Sequence, residues 1–267
     1  MRPSALTAVL FALLFITTCS TKFTGTARIT PENTADSFLA LHQLGSACLP
    51  AKALLQFTWL GAEGKSRRTM GIIRSSPPGK WRVDLLGNLG GTIMEIRSRG
   101  DSVAVYLPRE RLQARDRLAR LATLSDLGLP PIRSLSVSLW FLGIPEAAWL
   151  DGLTRSKGGD ADSGRLVFTA DDGAEHEIRF DPERKRVNSY RLSWSGREAT
   201  ARYSNFRHVD GLARPFRVEI LTARGGSLTL DFRQVMTPVA EDQSAFEPRS
   251  APDIRPVAIE DIQWGIN

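Results

Sequence analysis

Apolar residues recur at two different spacings along this chain, and the change from one to the other organises it. Between Thr34 and Leu44, Phe38, Leu41 and Leu44 return every third residue, Asn33 stands where a cap belongs, and Gly45 ends the pattern. That spacing predicts a helix over 34–44 with one apolar edge. From residue 52 the period becomes two. Leu55, Phe57 and Trp59 alternate with Gln56 and Thr58, Met70 and Ile72 follow a polar turn, and Trp81, Val83 and Leu85 oppose Lys80, Arg82 and Asp84. Strict alternation of this kind is the mark of half-buried antiparallel strands. Gly87-Asn88-Leu89-Gly90-Gly91 reads as a turn, and Thr92 to Ile96 and Val103 to Leu107 continue the meander with no crossover helix.

Pro108 opens an Arg-rich segment to Ala122 that is predicted to be helical, since proline suits a first turn and no further Gly or Pro interrupts it. Leu129-Pro130-Pro131 breaks the chain, and Ile132 to Leu142 reads as a short apolar helix ending at Gly143. Lys157 to Gly164 reads as a loop. Alternation then resumes in Leu166 and Phe168, Ile178 and Phe180, Tyr190 to Trp194, the region of Tyr203, Phe216 to Ile220, and Leu228 to Phe232. Roughly ten or eleven strands, with helices between two runs of them, predict a mainly β fold: one antiparallel sheet under a helical cover, an unclosed barrel.

The first eighteen residues read as an address rather than as structure. Arg2 precedes an uncharged stretch, Ala5 to Ile16, and Cys19 follows at the place where a lipoprotein signal is cut. The stretch falls short of the ~20 apolar residues of a membrane-spanning helix. The expected division is 1–18 signal peptide, 19–32 tether, 33–238 folded domain and 239–267 a proline-rich, charged C-terminal extension lying on the body. Cys19 is the expected site of lipid attachment; an ordinary secretory signal is the alternative, and both carry the chain out of the cytoplasm. With Cys19 acylated, Cys48 has no intrachain partner, so the fold rests on its core rather than on a disulfide.

The net charge is +6, and Arg109, Arg111, Arg115, Arg117 and Arg120 cluster. On a secreted, lipid-tethered protein such a surface suits anionic headgroups or an acidic partner better than nucleic acid, and a solvated helix face is the plainer alternative. His42, His176 and His208 stand on separate elements without metal-ligand spacing. Gly87 to Gly91 joins two strands and lacks the lysine-serine pair of a phosphate loop, and Asp160 to Gly164 lacks the closing glutamate of a calcium loop. The expectation is a binder, not an enzyme, with no metal and no cofactor.

Phe57, Trp59, Trp81, Trp140, Phe141 and Trp149 gather around the first half of the sheet and its helical cover. They either fill a core or line an apolar cavity beneath the roof. Trp140-Phe141-Leu142-Gly143-Ile144-Pro145 resembles the covering helix and W-x-x-G-x-P stretch of the outer-membrane lipoprotein insertion factor LolB. Phe57-Thr58-Trp59 and Leu85 to Thr92 are similar to that family's early strands, and Arg214 to Ile220 before Leu228 to Phe232 resembles its closing hairpin.

That resemblance implies an unclosed barrel shared with the soluble relative LolA. It implies a monomeric acceptor, lipid-anchored on the periplasmic face of the outer membrane of a Gram-negative bacterium, that takes lipoprotein acyl chains from a LolA-like carrier. It also implies that Leu89 is an exposed turn leucine that helps push cargo into the bilayer. Phe57, Trp59, Trp81, Leu85, Trp140 and Phe141 are the expected acyl-cavity lining, and Trp140→Asp is expected to weaken acyl binding while leaving folding cooperative. Ser20 after Cys19 favours the outer membrane. A binder of another hydrophobic ligand, glycolipid or sterol-like, and a structural envelope lipoprotein remain the alternatives.

Overall fold

The computed structural model describes residues 34–61, 64–118, 136–153, 159–160, 164–169, 173–181, 183–222, 225–237, 239 and 243–262. Cys19 with its signal and tether, the cap Asn33, Arg120 and the Leu129-Pro130-Pro131 break lie outside them. Among the described residues, fourteen strands form a single sheet whose spatial order is β14-β6-β5-β4-β3-β2-β1-β13-β12-β11-β10-β9-β8-β7. Six of these strands make the first meander: β1 (Ala51–Leu60), β2 (Ser66–Ser76), β3 (Lys80–Leu86), β4 (Thr92–Arg99), β5 (Ser102–Leu107) and β6 (Leu112–Arg117). A second run comprises β7 (Gly159–Asp160), β8 (Arg165–Thr169), β9 (Glu175–Asp181), β10 (Arg186–Trp194), β11 (Arg197–Val209), β12 (Leu212–Leu221) and β13 (Ser227–Met236). The two runs join where β13 pairs with β1, and β14 (Arg255–Val257) closes the chain. The two ends of the order do not pair, so the barrel is unclosed as expected.

Three strands go beyond the eleven that alternation predicts. The Arg-rich segment contains β6, not the expected helix: adjacent Gln113 and Ala114 are both buried while Arg115 and Arg117 are exposed, so neither alternation nor apolar content betrays the strand. The Lys157 to Gly164 loop contains the two-residue β7, and the C-terminal extension supplies β14, which pairs with β6 in parallel. Among the described residues this is the one parallel pairing in the expected antiparallel sheet.

Residues of both runs, such as Val105 and Ala114 from one and Ile178 and Tyr190 from the other, share one apolar cluster with the helices, so the sheet curls around them. Helix α1 (Thr34–Cys48) buries Leu41, Leu44 and Cys48 and runs a turn past its expected end. Gly45 is a contact residue, not a stop. A Cβ there would lie 2.0 Å from the Pro145 carbonyl oxygen, so only glycine lets α1 approach the chain entering α3 (Ala147–Leu153). Helix α2 (Val137–Leu142) does end at Gly143, whose φ of 66° is the left-handed C-terminal cap that favours glycine. The Tyr203 hydroxyl donates to the Leu139 carbonyl, fixing α2 over β11 and β12.

The C-terminal segment is an integral part of the fold. Its short 3₁₀ turn Gln243–Phe246 crosses the outer face of β3 and β4, where Glu95 and Asp84, each 3% exposed, meet Arg82, Arg97 and Arg249. Burial pushes the Glu95 carboxyl up, yet the Arg249 hydrogen bonds and the Arg97 and Arg82 charges outweigh it and hold it below the usual range. Beyond β14, Ile259 and Ile262 return to the core, 1% and 2% exposed.

Candidate functional site

Strand register decides which side chains face the enclosed side. Leu55 stands opposite Gly71 and Phe232, and Gly71 opposite Leu85; Phe57 stands opposite Leu230, and Trp59 opposite Leu228. All share the inner face, because partners in an antiparallel ladder point the same way. Burial falls along β1, from Leu55 at 0% to half-buried Phe57 and Trp59. Leu85 and Leu228 are half-buried on the same side. These four residues form a rim at the end of the sheet where the β3–β4 turn projects, interrupted on β2 by Thr69 and Arg67, which stand opposite Phe57 and Trp59 on the same face.

Two glycines shape the rim. A Cβ on Gly71 would lie 2.5 Å from Phe57 Cε2, and one on Gly226 would lie 3.1 Å from Trp59 Cζ2 and Cη2. The aromatic rings thus rest in spaces that any larger residue would fill. At the tip of the neighbouring turn Leu89 is 98% exposed, with Gly87 donating to the Gly91 carbonyl at 2.8 Å to close the hairpin beneath it. Leu39 and Leu60 are also exposed, at 55% and 41%, but neither is as free of neighbours as Leu89.

The remaining predicted lining residues sit elsewhere. Trp140 is 1% exposed, with its ring 4.6 Å from that of Tyr190 in an edge-on contact. Trp149 meets both Tyr190 and His176 edge-on, and His176 Nδ1 lies 2.7 Å from the Tyr190 hydroxyl. Sequence reasoning missed Tyr190 and His176, which alternate unremarkably on β10 and β9. Trp81 is buried at the opposite end of the inner face, in the row that pairs it with Ser75 and Ser98. Phe141 is half-buried on α2 against the core. The structure therefore places Phe57, Trp59 and Leu85 on the inner face toward the β3–β4 turn, and buries Trp81 and Trp140 away from them. The indole N–H groups of Trp81 and Trp140 are buried without a hydrogen-bond acceptor.

A buried polar bridge holds the helical cover at the Trp81 end. Ser138 donates to Glu146 Oε1 at 3.0 Å, Gly79 N–H donates to Glu146 Oε2 at 2.8 Å, and Ser75 Oγ lies 2.5 Å from Ser138 Oγ. Burial pushes the Glu146 carboxyl up to about 7, against those two hydrogen bonds, which favour the ionised form. On α1, the buried Cys48 thiol accepts from Arg214, and burial raises its pKa in spite of that guanidinium. Among the described residues no helix is long and apolar enough to cross a membrane.

An unclosed, mainly antiparallel barrel with helices laid into its concave side is the class of protein that this sheet defines. No family model matches the chain, and no curated protein matches it in sequence. Solved structures do share its fold. A LolA superfamily protein from Nitrosomonas europaea matches with a TM-score of 0.54 at 14% identity, over 79% of this chain and 97% of that one. A putative outer membrane lipoprotein-sorting protein domain from Vibrio parahaemolyticus matches at 0.53 and 10% identity, over 79% and 96%. A DUF1329 family protein from Desulfovibrio piger matches at 0.57 and 13% identity, over 80% and 96%. The chain has the LolA-like fold.

Proposed function

We propose that this chain is a lipid-anchored acceptor for lipoprotein acyl chains at the periplasmic face of the outer membrane, taking them from a LolA-like carrier and passing them into the bilayer. The observation that carries the reading is the pairing of an apolar rim, Phe57, Trp59 and Leu85, with a leucine 98% exposed on the adjoining hairpin tip. The LolA-like fold and the lipoprotein-sorting name of the Vibrio neighbour support it.

Magnitudes set the mechanism. Each methylene of an acyl chain gains ~0.8 kcal/mol on leaving water, so a long chain moves from one apolar surface to another rather than through solvent. An acceptor tighter than its donor by ~1.4 kcal/mol already biases exchange tenfold without nucleotide or catalysis. The rim supplies the receiving surface, Leu89 the contact with the bilayer, and Cys19 the tether.

The test is equilibrium binding of a fluorescent sixteen-carbon acyl probe to the purified chain and to Trp59→Asp and Leu85→Asp. Removing one such apolar contact costs about 1.5–3 kcal/mol, so affinity is expected to fall about ten- to a hundredfold. Unchanged affinity in both variants, with folding intact, refutes the site. Preferential retention of a free glycolipid over acylated peptides on purification favours the other-ligand reading instead.

A further inference from the structure

A second feature lies on the opposite face of the sheet. At one register Lys52, Arg74, Arg82 and Arg97 stand side by side on β1, β2, β3 and β4. Like charges directly opposite each other on a sheet repel. Half of the row is neutralised. Arg82 meets Asp84 at 2.7 Å and Glu95 at 3.6 Å, Arg97 meets Glu95, and the two also donate to the carbonyls of Ala245 and Glu247. Among the described residues neither Lys52 nor Arg74 has an acidic partner, and Arg74 Nε is buried without a hydrogen bond. An acid opposite Lys52 would relieve the repulsion, but the residue there is Met236.

Those two cations open into a cavity of about 330 Å³ beneath the C-terminal segment, whose apolar walls include Pro50, Met236, Val239 and Phe246. That size falls at the small end of ligand pockets, ~300–1,000 Å³. We propose that this cavity binds an amphipathic oxyanion, its phosphate or carboxylate head held by Lys52 and Arg74 and a short alkyl tail lying against Met236, Val239 and Phe246. The geometry supplies both halves of such a ligand's recognition. A guanidinium takes an oxyanion by two parallel hydrogen bonds and the lysine adds a point charge. The tail replaces water over methionine and phenylalanine. This site is distinct from the rim, which lies across the sheet.

The test is calorimetric titration of the purified full chain with hexyl phosphate, inorganic phosphate and 1-hexanol. Hexyl phosphate is expected to bind one site at least about tenfold tighter than either half alone, because head and tail act together. The Lys52→Gln/Arg74→Gln variant is expected to lose at least about tenfold of that affinity, as removal of charge-assisted hydrogen bonds does. Met236→Glu places a carboxylate opposite Lys52, and is expected to abolish binding while raising the melting temperature, which separates loss of the site from loss of the fold. Trp59→Asp is expected to leave hexyl phosphate binding unchanged, so failure of the acyl rim and failure of this site are told apart. Binding no tighter than inorganic phosphate or 1-hexanol, or binding indifferent to the Lys52 and Arg74 substitutions, overturns the proposal.

Discussion

The backbone N–H of Gly79, at the β2–β3 turn, donates a 2.8 Å hydrogen bond to Glu146, at the entrance to α3, and so ties the sheet to its cover through a carboxyl 1% exposed. Burial raises that carboxyl from 4.5 to about 7. Between those values the folded chain keeps a proton that the unfolded chain releases, so stability falls as pH rises. This contribution is whole below about pH 4.5 and gone above about 7. Its size is on the order of 3 kcal/mol. Thermal melts at pH 5 and pH 8 are expected to show the loss in the native chain and to be nearly level in Glu146→Gln.

Glu177 works in the opposite sense. Burial pushes its carboxyl up, but hydrogen bonds from Arg165 and Arg179 and the charge of Arg191 outweigh this and hold it at about 2. Its contribution is present above about pH 4.5 and is lost as pH falls through about 2. Glu177→Gln is expected to cost about 2 kcal/mol at neutral pH and to flatten the acid limb of a denaturation curve.

The burial of Trp140 revises what its substitution tests. Deleting a fully buried tryptophan costs about 3–5 kcal/mol, and an aspartate there adds an unpaired charge beside Tyr190. Trp140→Asp is therefore expected to lower the denaturation midpoint sharply, in contrast to the cooperative, well-folded variant expected from sequence. Half-buried Trp59 is the residue whose replacement reads binding.

Leu89 separates binding from delivery. Being 98% exposed, it can become aspartate with a stability change within about 0.5 kcal/mol. Acyl-probe affinity is expected to stay the same, while transfer of an acylated peptide from the chain into lipid vesicles slows at least about tenfold. Equal transfer by both proteins removes Leu89 from the mechanism.

Gly45→Ala sets helix propensity against packing. Alanine gains about 1 kcal/mol inside a helix. Its methyl would stand 2.0 Å from the Pro145 carbonyl oxygen, a backbone atom that no rotamer change can move, and overpacking costs about 1–3 kcal/mol. A net loss of stability in urea denaturation is expected.

The sequence made legible what is local. Period-two runs such as Leu55-Phe57-Trp59 and Trp81-Val83-Leu85 announced their strands because alternate residues face a core. Leu89 was singled out by the resemblance of its turn, and the structure exposes it at the tip. β6 did not announce itself: its one core-facing buried residue is the small Ala114, and Gln113 is covered by Arg249, which arrives from far along the chain, so burial there leaves little hydrophobic signature. The same distance hid the cation row, whose members are neighbours only through strand register. Trp140 and Trp59 look alike as letters; only the positions of α2 and Gly226 make one a buried core ring and the other half-buried on the rim.

The pairing of β14 with β6 has a consequence for self-association. A sheet margin bearing unpaired amides invites a second molecule to dock there and propagate into an aggregate. At one end the margin is the two-residue β7, too brief to template anything. At the other, β6 is shielded by Arg255–Val257, which arrives from far along the chain. Without that stretch β6 would present a sticky flank to its siblings, so a variant with Arg255–Val257 deleted is expected to clump where the native pairing keeps the strand covered.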